Sequence, residues 1–178
     1  RPLWPASLLI AWLHCAAIAP PAAAQCVDYG SYLHWVGRVN TPGTAEGVAT
    51  SGHYAYVADG LSGVQVIDIA DPAAPRVITV RDTPGWAFRV AAQGDLAVVA
   101  DGEAGLVILD IGAPANPQYL AILDTPDLAV GVAIAGDLVG VADRFGGLFV
   151  VDIANPASPQ LLGGIDPGGL AADVALAG

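Results

Sequence analysis

Apolar positions along most of this chain fall in short runs that Gly, Pro and Asp interrupt at regular intervals. The interruptions share one period. Val48, Val90, Val132 and Val174 recur every 42 residues, as do Gly52, Gly94, Gly136 and Gly178. Asp59, Asp101 and Asp143 keep that spacing, and so do Asp68, Asp110 and Asp152. A register held without insertions marks a stacked repeat architecture, in which each unit is one supersecondary block.

Each unit divides into four strand-like runs. In the first complete copy they cover 47–51, 54–58, 63–69 and 76–81, rich in Val, Ile and Tyr and bounded by turn formers. The Gly of "SGHY", "QGDL" and "AGDL" suits a tight first connection, where positive φ is cheap only without a Cβ. Further Gly in "DGLSG", "DGEAG" and "DRFGG" closes the second, and "DPAAP", "APANP" and "NPASP" make a Pro-fixed turn into the fourth strand. "NTPG", "DTPG" and "DTPD" then lead into the next unit.

The third run is apolar on both alternations, with Val64 and Val66 on one face and Ile67 and Ile69 on the other. Leu106 and Ile108 stand likewise against Val107, Leu109 and Ile111. Such a sheet must be covered on both sides. Blades stacked around an axis achieve this, and four antiparallel strands per unit is the layout of a propeller blade. A sandwich has no reason to repeat in sequence, solenoid coils are usually shorter, and the Gly and Pro spacing would break every helix. The expected fold is therefore all-β: a β-propeller of four-stranded, 42-residue blades, present as an incomplete arc of about three and a half blades. The repeat region is read as 33–178, with units near 36–77, 78–119, 120–161 and 162–178. The stretch "LHWVGRVNTPG" aligns with "PRVITVRDTPG" and is read as a lone outer strand, suited to closing a ring by complementing the last blade.

The block "VATSGHYAYVADGLSGVQVIDIADPAAPRVITVRDTPG" resembles the LVIVD repeat, and "LVILDIGAPANP" and "LFVVDIANPASP" resemble it equally. That resemblance implies a β-propeller of bacterial and archaeal exported or surface proteins, and it brings no established activity. Arg144 departs from the Gly of "ADG", and Ala113 departs from the acid of "DP".

The beginning of the chain reads differently. Arg1, an apolar run over 8–19 and the small residues Ala22 and Ala24 make a signal-peptide pattern over 1–24, cleaved before Gln25 and followed by a short segment over 25–32. The apolar run is shorter than the about 20 residues of a comfortable span, so no membrane span is expected after cleavage. The implied location is exported: periplasmic, secreted or cell-surface. Cys26 follows Gln25 rather than the small residue that lipidation requires, and the mature chain holds one Cys and no internal disulfide. Six Arg and no Lys against seventeen acids give a net charge of -11, which repels phosphate backbones and argues against nucleic acid as a partner.

Candidate chemistry starts with the periodic acids. Asp59, Asp101 and Asp143 open Gly-rich turns and invite a calcium reading. One carboxylate per loop favours instead an Asx-type turn, in which the side chain accepts from nearby backbone N–H, so no metal or other cofactor is expected. Asp68, Asp110 and Asp152 sit among apolar neighbours, where a carboxylate needs a partner and is expected to fix the adjacent loop. His34 and His53 match no metal-ligand spacing, and no G-x-S-x-G, phosphate loop or Cys pair is present, so no catalytic residue is named. The copies differ most after each "TP", where the second carries Trp86, Phe88 and Arg89. These three are the candidate rim contacts for a protein or glycan, with Trp86 as a mere plug between blades the competing view. The expected function is a non-enzymatic binding scaffold. Its alternative is a propeller hydrolase or lyase whose catalytic residues lie partly in missing C-terminal blades.

Overall fold

Twelve strands in three antiparallel four-stranded sheets make up the regular structure of the computed structural model, which describes residues 36–177. The expected signal peptide, the segment 25–32, Cys26 and His34 lie outside the described residues. The first sheet comprises β1 (Gly47–Ser51), β2 (Tyr54–Ala58), β3 (Val64–Asp68) and β4 (Arg76–Arg81). The second comprises β5 (Arg89–Gln93), β6 (Leu96–Ala100), β7 (Leu106–Asp110) and β8 (Gln118–Leu123). The third comprises β9 (Gly131–Ala135), β10 (Leu138–Ala142), β11 (Leu148–Asp152) and β12 (Gln160–Ile165). Each sheet is a meander in sequence order, so each 42-residue unit is one blade.

The turn chemistry works as the sequence requires. Gly52, Gly94 and Gly136 each adopt φ of 58° as the first central residue of a two-residue hairpin, while the residue after each keeps negative φ. That combination is a type II′ turn, whose twist matches the strands it joins. A register shift recurs at one place in every blade, between Val66 and Ile67, Ile108 and Leu109, and Val150 and Val151. The extra residue falls on the outer strand, at Ile78, Leu120 and Leu162. A bulge there increases the local twist and makes the outer edge a poorer template for further pairing.

The two apolar faces of each sheet find two different neighbours. Tyr56, Val64 and Val66 of the first blade pack with Val99, Val107 and Leu109 of the second. Val98, Leu106 and Ile108, from the other face of the second blade, pack with Val139, Val141 and Val151 of the third. The first strands β1, β5 and β9 lie against one another and form the inner edge, so the blades stand as an open propeller arc. Beyond the third blade, no strand forms over 166–177, yet Ala171 bridges to Arg144 as Ala87 does to Gly60 and Ala129 to Gly102. The Val39 side chain packs beside Ala55, Val57 and Ile67 on the remaining face of the first blade, but 36–40 forms no strand, in contrast to the outer strand read from its alignment.

Candidate functional site

At one rim of the arc the connector entering each blade crosses the β2–β3, β6–β7 and β10–β11 turns, and aspartates fasten it there. Asp59 accepts from the Thr41 hydroxyl at 2.6 Å and from the Gly43 N–H at 2.8 Å. Asp101 accepts from Thr83 at 2.7 Å and Gly85 at 2.8 Å, and Asp143 accepts from Thr125 at 2.7 Å and Asp127 N–H at 2.8 Å. All three carboxylates belong to fully buried residues. The structure corrects the local Asx turn expected at these positions: the donors to each carboxylate are a Thr hydroxyl 18 residues upstream and a backbone N–H 16 residues upstream, because the connector folds back over the turn. Both oxygens of each carboxylate are thereby engaged by donors. Among the described residues no three His, Cys, Asp or Glu gather into a group able to hold a metal.

Burial is the main cause that lifts the Asp101 carboxyl above the usual aspartate range, opposed by its bonds from Thr83 and Gly85 and reinforced by nearby Asp82. The Asx turn occurs instead at the second set of aspartates. Asp68 accepts from Ala70 N–H at 3.0 Å, Asp110 from Gly112 at 2.8 Å and Asp152 from Ala154 at 2.8 Å. These bonds shape the turn into the outer strand, as the sequence suggested. Arg76 adds an ion pair to Asp68 at 2.9 Å. The Asp68 carboxyl is held below its ordinary value, first by the Ala70 N–H and then by Arg76. Arg76→Ala should therefore raise that value only partway, as carbon-detected NMR titration would register; a full return to the ordinary aspartate range would contradict the ordering of causes.

On the same rim lies a recess of about 350 Å³ whose walls include Leu61, Trp86, Phe88, Glu103 and Leu128. Trp86 and Phe88 meet there with ring centroids 6.1 Å apart and planes tilted by 35°. The connector carrying them is pinned at both ends. Asp101 of its own blade holds Thr83 and Gly85, and Gly60 of the preceding blade pairs with Ala87 through backbone bonds of 3.1 and 3.2 Å. The Trp86 indole lies over Gly60, 3.0 Å from where a Cβ would stand, so a larger residue at position 60 would press on it. Trp86 is half-buried and its indole N–H is shielded without a hydrogen-bond partner. It is thus seated between blades and also walls the recess.

Arg89 is separated from this pair. It opens β5, is exposed and donates to the Glu46 carbonyl of the preceding blade, outside the residues that line the recess. The exposed His53 occupies the hairpin between β1 and β2. Leu61, Glu103 and Leu128 are recess residues that the sequence reading did not single out. The signal was available, since positions 61, 103 and 145 of the repeat read Leu, Glu and Phe inside an otherwise uniform turn.

The LVIVD repeat matches residues 42–83, 84–125 and 128–166, three consecutive copies. The chain belongs to the LVIVD repeat family. The first two matches each begin in a connector, one residue after its Thr, and run through the blade whose aspartate accepts from that connector's Gly43 or Gly85 N–H. Among solved structures, the LVIVD arc is similar to the computationally designed Ika4 protein, with a TM-score of 0.62 and 17% identity over 82% of this chain and 86% of that one. It is also similar to the computationally designed Ika8 protein, with a TM-score of 0.58 and 18% identity over 75% of this chain and 39% of that one. Saccharomyces cerevisiae Sqt1 gives a TM-score of 0.61 and 10% identity over 70% of this chain and 36% of Sqt1. The LVIVD arc thus spans well under half of Ika8 and of Sqt1, and likeness at such identity is one of fold alone. No curated protein matches the chain.

Proposed function

We propose that this LVIVD propeller is a non-enzymatic scaffold, exported to the periplasm, the cell surface or the medium, that captures a protein or glycan at its rim. The carrying observation is the aromatic recess. Trp86 and Phe88 stand on a connector fixed by Asp101 and Gly60, whereas the same repeat positions hold Thr44 and Glu46 in the first copy and Leu128 and Val130 in the third. A regular frame bearing one irregular apolar site is the arrangement by which repeat scaffolds acquire specificity. Trp is also a frequent anchor of interfaces. Export is supported by the basic end, apolar run and Ala22 and Ala24 pattern of the first residues. No helix among the described residues is long and apolar enough to cross a membrane.

Phe88→Ala and Trp86→Ala are expected to weaken capture by about 1–3 kcal/mol each, the usual cost of an aromatic anchor. Because Trp86 is only half-buried, its truncation should cost about 1–2 kcal/mol of stability rather than the about 3–5 of a fully buried Trp. Arg89→Ala should leave capture nearly unchanged, since its guanidinium is directed at Glu46. Binding of the variants to envelope proteins and to a glycan array, beside thermal unfolding, tests the reading. A large stability loss for Trp86→Ala with capture intact would reduce the recess to a packing feature.

A further inference from the structure

Building on that rim-binding reading, we infer that the recess takes the cationic side chain of an arginine or lysine on a partner polypeptide. Its volume of about 350 Å³ suits one long side chain rather than an extended segment. Two aromatic rings converge on it, and Glu103 is the one charged residue among those that line it. Aromatic faces and a carboxylate are the elements that attract an ammonium or guanidinium, and the net charge of -11 draws such a group toward the surface.

The arginines nearby are already engaged. Arg89 donates to the Glu46 carbonyl, and Arg81 stacks 3.9 Å from the Tyr119 ring centre. The neighbouring copy shows what the rim does when the chain supplies its own cation. One repeat further on, Arg144 replaces Gly102 and Phe145 replaces Glu103, and the guanidinium lies 5.9 Å from the Phe145 ring centre. Among the described residues Arg144 is the one non-Gly residue with positive φ, at 42°, a conformation that costs a side chain free energy. The third blade thus tolerates a strained backbone at the position that puts a cation beside an aromatic ring. In the Trp86 recess the same position is Gly102, against which the Phe88 ring packs, so the cation must arrive from outside.

The test uses the full chain and two short peptides, acetyl-Gly-Arg-Gly-amide and its citrulline counterpart, which keeps the shape and removes the charge. The readout is the Trp86 indole N–H resonance, assigned with Trp86→Phe. The arginine peptide should shift it saturably at millimolar concentration, and the citrulline peptide should bind about tenfold more weakly or not at all. Glu103→Gln, at an exposed position that leaves folding intact, should weaken the arginine peptide about threefold to tenfold. Equal binding of both peptides, no shift with the arginine peptide, or indifference to Glu103→Gln would each overturn the inference. Trp86-dependent capture of a partner that the arginine peptide fails to displace would sink the cation and leave the rim reading standing. Capture that is independent of Trp86 would sink both.

Discussion

Asp101→Ala should destabilise the propeller by about 3 kcal/mol, whereas Asp101→Asn should cost about 1. Alanine strands two donors at once, the buried Thr83 hydroxyl and the Gly85 N–H, and frees the connector from its own blade. Asparagine keeps an oxygen for Gly85 and can present its amide N–H to Thr83, whose hydroxyl is able to turn and accept. The two variants also differ from the wild type in pH response. Burial raises the Asp101 carboxyl, so between the ordinary aspartate value and the raised one the folded chain holds more protons than the unfolded chain. Stability from this group is therefore fully present below the unfolded value and lost as pH rises through the folded one. The advantage of wild type over Asp101→Asn should grow as pH falls through that window, read from urea midpoints across a pH series. An advantage that shrinks with acidification would show that the hydrogen bonds from Thr83 and Gly85 outweigh burial.

The strands were legible because their signals are local. Runs 47–51, 54–58 and 76–81 coincide with β1, β2 and β4, and 63–69 overshoots β3 by one residue at each end. A Gly at the first place of a two-residue hairpin and a Pro in the turn before the outer strand act on their immediate neighbours, so one copy suffices to read them. The aspartate clasps were not legible for the opposite reason. Their donors lie 16 and 18 residues away, and only the folding back of the connector brings Thr83 to Asp101. The recess is a composite of the same kind. Leu61, Trp86, Glu103 and Leu128 come from four turns and connectors that meet at one rim, which explains why scanning a single variable stretch found Trp86 and Phe88 and grouped Arg89 with them. Alternation within β5 turns Arg89 toward the preceding blade, a geometric consequence that adjacency in sequence conceals.

Gly105→Ala is expected to cost about 3 kcal/mol, although it adds one methyl group. Gly105 sits at φ of 74° in the turn between β6 and β7, where its N–H bonds to the Gly102 carbonyl at 3.1 Å and its own carbonyl accepts from Asp101 N–H at 2.9 Å. A side chain there meets two separate penalties. The left-handed conformation costs an L-residue about 1–2 kcal/mol. A Cβ would also collide with the Leu123 carbonyl and come within 2.9 Å of the Thr125 N, both backbone atoms that cannot swing aside. Gly94→Ala separates the two penalties, because Gly94 has φ of 58° and nothing within 4 Å of its Cβ position. It should lose only the conformational cost of positive φ at the first place of a type II′ turn, about 1–2 kcal/mol. Arg144, already at φ of 42° in the third blade, shows that the first penalty is survivable in this fold. The collision with the outer strand is what should set Gly105 apart. Equal shifts of the urea midpoint for the two alanine variants would mean that the turn between β6 and β7 relaxes away from β8, and that the close approach of these segments contributes little to holding the blade together.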